Sequence, residues 1–339
     1  MMLYNKMKAG TAFAVGEALM RHLSLVAILG VFGLLSPGLA QDFPTRTVRL
    51  VVNSQAGGTT DQTTRLLAEE LSRRWNQSVI VENVVGAGGN TGAAQVARAE
   101  ADGHTLLVSH PGPLTINGLL FKSMPYDPKA LVPVSILVTF PNALVVSRDL
   151  KVNSVADLIA YGKANPGKLT YGSQGVGTTT HLAGSLFAAR SGLEMVHVPY
   201  RGSPAAILDL TGGRLAMMFD NLGTATPQHQ AGNTRILAVA DDKRAPALPD
   251  IPTLAEAGVK DFRSVTWFGL MAPEKTSTQV VARISRDIVA IYKDPAFVAK
   301  LRSFNVDAVG ATPEQALKFI ADETVLWSNV VRDAKISPE

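Results

Sequence analysis

Short apolar runs alternate along the chain with stretches of helical period. "TVRLVV" (47–52) is followed by a helical pattern near 60–74, where Leu66, Leu67 and Leu71 share one face. "SVIVEN" (78–83) leads through "VVGAGGN" into the small-residue stretch "TGAAQVARA", and "HTLLVSH" (104–110) predicts the next strand. A segment containing Pro and Gly then runs through Pro128. The same grammar restarts at "NALVVS" (142–147), ahead of "SVADLIAYGKA", where Ser154 and Asp157 have the spacing of a capping box. Later apolar strands in "KLTYGS", "MVHVPY", "LAMMF" and "TRILAVAD" each run into a polar loop. The strand "SVTWFGLMAP" and helices near 277–292 and 313–334 close the chain. Thr276 with Gln279, and Thr312 with Gln315, have capping-box spacing, and Pro313 occupies a favoured first-turn position.

Repeated strand–loop–helix order argues for parallel sheets covered by helices, arranged as two α/β blocks. In open α/β sheets ligands lie outside the carboxyl ends of the strands. That rule selects the loops 53–61, 84–91, 109–113, 172–180, 199–203 and 220–225 as candidate site segments.

Composition changes the picture at the amino terminus. "RHLSLVAILGVFGLLSPGLAQD" has basic residues, about a dozen apolar residues, then Pro37, Gly38 and Ala40. This is the order of a secretory signal peptide, residues 1–40, cleaved after Ala40. Met20 is an alternative start. Removing Lys6, Lys8, Arg21 and Glu17 leaves 29 basic and 27 acidic residues, a net charge of +2 with no basic run. A nucleic-acid partner is therefore not expected. Cysteine is absent, which excludes disulfides and thiolate chemistry.

"NSQAGGTTDQTTR" (53–65) joins a strand to a helix. Gly57 and Gly58 let backbone N–H groups approach a ligand, and Thr59, Thr60 or Asp61 can cap the helix that follows. A helix N-terminus favours a phosphate or carboxylate. The loop has no Lys, so it is not a P-loop, and Asp61 disfavours a densely charged phosphate. "GSQGVGTTTHLAG" mirrors it, with Ser173, Gln174, Gly175, Thr178 and Thr179 ahead of a helix. Neither loop core contains Arg or Lys, so a carboxylate is expected to rest on backbone donors and helix N-termini. Asn90, in "GAGGNTG", and Asp220, after "LAMMF", are further candidate ligand contacts; Asp220 is suited to an ammonium or hydroxyl, or to capping the next turn.

Rival chemistries are weaker. Gly86, Gly88 and Gly92 open a helix as a dinucleotide loop does, but with G-x-G-x-x-x-G spacing and no clean acidic partner about 20 residues on. The histidines 104, 110, 181, 197 and 229 have no short-spaced pair for a metal. "YGSQG" lacks a glycine two residues before Ser173, as a nucleophile elbow requires. No cofactor, metal or catalytic residue is expected.

Over nearly its whole mature length the chain resembles the Bug-type solute-binding proteins of tripartite tricarboxylate transporters. The resemblance is carried by "GGTTDQTTRLLAEELS", "VIVENVVGAGGNTGAAQVARAEADGHTLL", "GKLTYGSQGVGTTTHLAGSLF", "VHVPYRGSPAAILDLTGGRLAMMFDNL", "RILAVADDKRAPALPDIPTLAEAG" and "WFGLMAPEKT". It implies a periplasmic-binding-protein fold of type II, with lobes 41–141 plus 268–339 and 142–267 around a cleft. It implies a small carboxylate held by loops 55–61 (Gln55, Ala56, Gly57, Gly58, Thr59, Asp61) and 173–179, and a two-component membrane permease as partner. A periplasmic monomer is expected, with a sensing subunit or a nicotinamide-dependent enzyme as the alternatives. Two departures stand out: "NSQA" replaces a proline-rich run, and "ENVVGAGG" lacks the usual Arg-Pro.

Overall fold

The computed structural model describes residues 43–334 and residue 336; the signal peptide expected over 1–40 lies outside the described residues. In chain order the elements are β1 (Val48–Val52), α1 (Thr59–Trp75), β2 (Val79–Asn83), α2 (Asn90–Ala97), β3 (Thr105–Ser109), α3 (Asn117–Leu120) and β4 (Leu131–Ser147). There follow α4 (Val155–Ala164), β5 (Leu169–Ser173), α5 (Thr179–Ser191), β6 (Met195–Pro199), α6 (Ser203–Thr211), β7 (Met217–Asn221), α7 (Leu222–Gln230) and β8 (Thr234–Val239). The chain ends through β9 (Val265–Pro273), α8 (Thr278–Ile291), α9 (Pro295–Arg302), β10 (Asp307–Ala308) and α10 (Pro313–Asp333).

Strand order is β2-β1-β3-β9-β4-β7-β5-β6, with β8 and β10 also paired to β4. The strands β1, β2 and β3 are parallel, as are β5, β6 and β7. The long strand β4 joins the two sets. Residues 131–141 pair antiparallel with β9, whereas 142–147 pair with β7 and β8. A first half of the sheet and a second half thus share one strand, and the change of partners falls between Pro141 and Asn142.

Strand β4 begins at Leu131, well before the expected "NALVVS" run at 142. Pro133 and Pro141 hid its first part, because proline cannot donate to a ladder. The fold accommodates Pro133 beside a register shift and Pro141 where pairing with β9 ends.

Both faces of the second half are covered, which explains its near-continuous apolar strands. Leu144, Val146, Met217 and Phe219 pack on one face with Phe187 of α5, while Ala143, Val145 and Met218 pack on the other with Leu210 of α6. The two-residue period of β4 and β7 sends alternate side chains into separate cores. In the first half Val51 and Leu107 pack beneath Ala93 and Val96 of α2.

The capping boxes Ser154/Asp157 and Thr312/Gln315 are both formed. The third expected box is not. Ser277 caps α8 by accepting from the Val280 N–H at 3.3 Å, one residue later than Thr276. Thr276 is instead buried. Among the described residues no helix is long and apolar enough to cross a membrane.

Candidate ligand-binding site

At the carboxyl end of β1 the chain turns through Asn53 to Gly58 into α1. Gly57 takes a left-handed φ of 81°, which suits glycine, and its N–H donates to Asp61 Oδ2 at 3.0 Å. Asn83 Nδ2 and Arg65 Nε also donate to Asp61, each at 3.0 Å. Burial pushes the Asp61 carboxyl upward, but Arg65, the Gly57 N–H and Asn83 outweigh it and hold the group below its ordinary value. Asp61 therefore braces the loop. Asp61→Asn is expected to cost about 1–2 kcal/mol of stability at neutral pH. Because its folded value is depressed, that contribution exists above the ordinary carboxylate value of 3.8 and is lost as pH falls through the folded value. Urea unfolding of both proteins across pH checks this, and a difference that persisted in strong acid would contradict it.

No side chain caps α1, so the N–H groups of its first turn are unclaimed within the helix. Helix α5 presents a second N-terminus, where Thr178 Oγ1 accepts from the His181 N–H at 3.3 Å. Both helix starts open onto one cavity of about 100 Å³, to which α1 contributes Thr60 and the α5 loop contributes Gln174, Gly175, Thr178 and Thr179. Helix N-termini carry partial positive charge, so their convergence favours an anion.

The other walls come from Gly86–Gly89, His110, Tyr200 and Arg201, with Thr266 and Phe268 contributed by β9. Gly89 has a φ of 90°, and a Cβ there would stand 2.7 Å from His110 Nε2 and 2.9 Å from Asn53 Nδ2. His110 Nδ1 accepts from the Gly112 N–H at 3.2 Å, and burial lowers its pKa to about 4. The neutral ring then carries its proton on Nε2, as a donor. Asn53 is oriented by a short relay: Ser109 Oγ donates to the His110 carbonyl at 2.8 Å, so it accepts from Asn53 Nδ2 at 2.8 Å.

Glycines let the two halves approach across the cavity. A Cβ on Gly88, where φ is 59°, would run into the Val176 carbonyl, and one on Gly112 would lie 2.7 Å from the Gly177 carbonyl. A Cβ on Gly202 would lie 2.7 Å from Gln55 Cβ.

The expected site residues divide. Gln174, Gly175, Thr178 and Thr179 line the cavity; Gln55, Ala56, Gly57, Gly58, Thr59, Asp61, Asn90, Ser173 and Asp220 do not. Gln55 packs on Gly202, and Thr59 packs against Gly223. Asn90 Oδ1 accepts from Asn117 Nδ2 at 2.7 Å. Ser173 is buried, with Oγ 2.7 Å from His197 Nε2. Asp220, also buried, accepts from Gln174 Nε2 at 2.9 Å and Thr224 Oγ1 at 2.7 Å, and from Ser203. Burial raises its pKa against those bonds.

Five of the six loops chosen by the strand-end rule reach the cavity and 220–225 does not, so the rule itself pointed to His110, Tyr200 and Arg201. Thr266 and Phe268 carried no such signal, being interior to a strand. The histidines are less scattered than the sequence implies. His181 and His197 stack with centroids 4.2 Å apart, and burial lowers them to about 3 and about 4, so the pair is neutral. Among the described residues no cluster of His, Asp or Glu is placed to hold a metal.

The family model described as tripartite tricarboxylate transporter family receptor matches residues 63–336. The chain belongs to that family. Protein BugT of Bordetella pertussis is 36% identical over 320 residues, spanning 93% of this chain and 98% of its own. The R. palustris protein Rpa4515, solved with adipate, matches at a TM-score of 0.86 and 38% identity over 88% of this chain and 100% of that one. MatC (Rpa3494) from Rhodopseudomonas palustris, with bound malate, matches at 0.81 and 28% identity over 85% and 100%. The fold is of the type II-like class of periplasmic binding proteins, and this family member is a solute-binding protein rather than an enzyme.

Proposed function

We propose that this receptor is exported through a leader cleaved after Ala40 and captures a small organic carboxylate between the two halves of its sheet. The halves act as lobes that close on the ligand and offer it to a two-component membrane permease. One observation carries the reading: two helix N-termini, from opposite halves, open onto a single cavity that has no acidic side chain among its described lining residues. An anion is favoured there, and a carboxylate fits the neutral hydroxyl and amide groups of Thr60, Gln174, Thr178 and Thr179. Adipate in Rpa4515 and malate in MatC support the ligand class.

Titration calorimetry with dicarboxylates, citrate, acidic amino acids and aromatic acids tests the reading. At least one carboxylate is expected to bind with a dissociation constant in the micromolar range or tighter, about −8 kcal/mol. Heat from none of them would remove the proposal.

A further inference from the structure

Arg201 is the one side chain of permanent charge that lines the cavity among the described residues. Its neighbours in the chain are anchored. The Tyr200 N–H donates to the Ser173 carbonyl at 3.0 Å, Tyr200 Oη donates to Asp209 Oδ2 at 2.9 Å, and Gly202 is wedged against Gln55. The nearby acid, Asp209, is already engaged by Arg214. Arg201 itself forms no ion pair among the described residues, in contrast to Arg214, Arg244 and Arg263. Arg201 is exposed and lines the cavity, and no protein carboxylate pairs with it among the described residues.

From this geometry, and resting on the carboxylate reading above, we propose that Arg201 receives a second carboxylate of the ligand and makes the site selective for dicarboxylates without an amino group. One carboxylate lies at the starts of α1 and α5, and the other reaches Arg201. Val85 and Phe268 line the cavity as apolar walls suited to a methylene spacer between them. An ammonium finds no carboxylate among the described lining residues. The candidate acid for it, Asp220, is fully buried and occupied by Gln174, Ser203 and Thr224. Two helix N-termini and an arginine make the cavity less favourable to an amino group than to a second carboxylate.

The test is calorimetry on the wild-type protein and on Arg201→Gln with matched pairs: adipate against hexanoate, succinate against butyrate, glutarate against glutamate. A hydrogen-bonded charge pair of this kind predicts a preference for the dicarboxylate of roughly ten- to hundredfold in the wild type. Glutarate is expected to exceed glutamate. In Arg201→Gln the dicarboxylate preference should collapse to within about threefold, with the larger loss of affinity falling on the dicarboxylate of each pair, since the helix N-termini are intact. Arg201 is exposed, so the substitution leaves the core untouched. A variant that keeps the full preference overturns the assignment of Arg201. Equal binding of mono- and dicarboxylates by the wild type overturns it too, but leaves the carboxylate reading standing. Binding of none of the six by the wild type overturns it as well, and the wider acid panel above then decides whether the carboxylate reading falls with it.

Discussion

If the halves close on ligand as proposed, Gly88→Ala is expected to weaken ligand binding roughly ten- to hundredfold while the fold survives, because the penalty would fall mainly on the closed form. Two separate effects are involved. The left-handed φ of 59° strains any residue with a Cβ by roughly 1–2 kcal/mol whether or not ligand is bound, and this should appear as a modest loss of stability. The second effect is steric. The new methyl meets the Val176 carbonyl, which belongs to the opposite half of the sheet. If the halves close on ligand as proposed, an open protein would escape the collision and a closed one would not. Overpacking of this kind costs about 1–3 kcal/mol, and here it subtracts from affinity. Gly118→Ala is the control, since a Cβ there meets nothing within 4 Å. Calorimetry with whichever carboxylate binds the wild type, alongside circular dichroism, checks both effects. Wild-type affinity in Gly88→Ala would show that closure does not bring these two turns together.

Trp267→Ala should be the most destabilising of the substitutions considered, at about 3–5 kcal/mol. Trp267 is fully buried in β9, where its ring packs with Ile136, Ala311 and Ala316 and meets Phe319 edge-on at 5.5 Å. Truncation leaves a void among these groups. It also removes a hydrogen bond, because Trp267 Nε1 donates to Glu323 Oε2 at 2.8 Å. Burial raises the Glu323 pKa, and the indoles of Trp267 and Trp327 oppose that rise. Losing one donor makes the buried carboxylate costlier. The position also matters for function, since Thr266 and Phe268 on either side line the cavity. Trp267→Phe keeps most of the ring and should cost less than half as much. Urea unfolding of the three proteins measures this, and a loss below about 1 kcal/mol for the alanine variant would contradict the packing argument.

Local order was readable in the chain without tertiary information. The starts of α4 and α10 follow from Ser154/Asp157 and Thr312/Gln315, because a capping box is settled within four residues. Alternating strand and helix patterns placed β1, β2, β3 and β5 closely, and of the six loops chosen by the rule that ligands gather at strand ends, all but 220–225 reach the cavity. The glycine-rich turns announced close backbone approach, although not which partner would approach.

What the pattern left undecided depends on groups far apart in sequence. Pro133 and Pro141 argue against a strand locally, yet pairing with β9 and burial of Val134, Ile136 and Val138 carry β4 through them. Asp220 and Asn90 look like ligand contacts by residue type, but Ser203, Gln174, Thr224 and Asn117 turn them inward, because a buried polar group must find partners. Thr266 and Phe268 reach the cavity only through the crossing of β4 and β9. Caps and periodicity are fixed by neighbours a few residues away, so the chain itself determined the elements and the chemistry of their ends. Which side chains meet at the cavity is set by burying apolar surface between distant strands, and that only the tertiary structure decided.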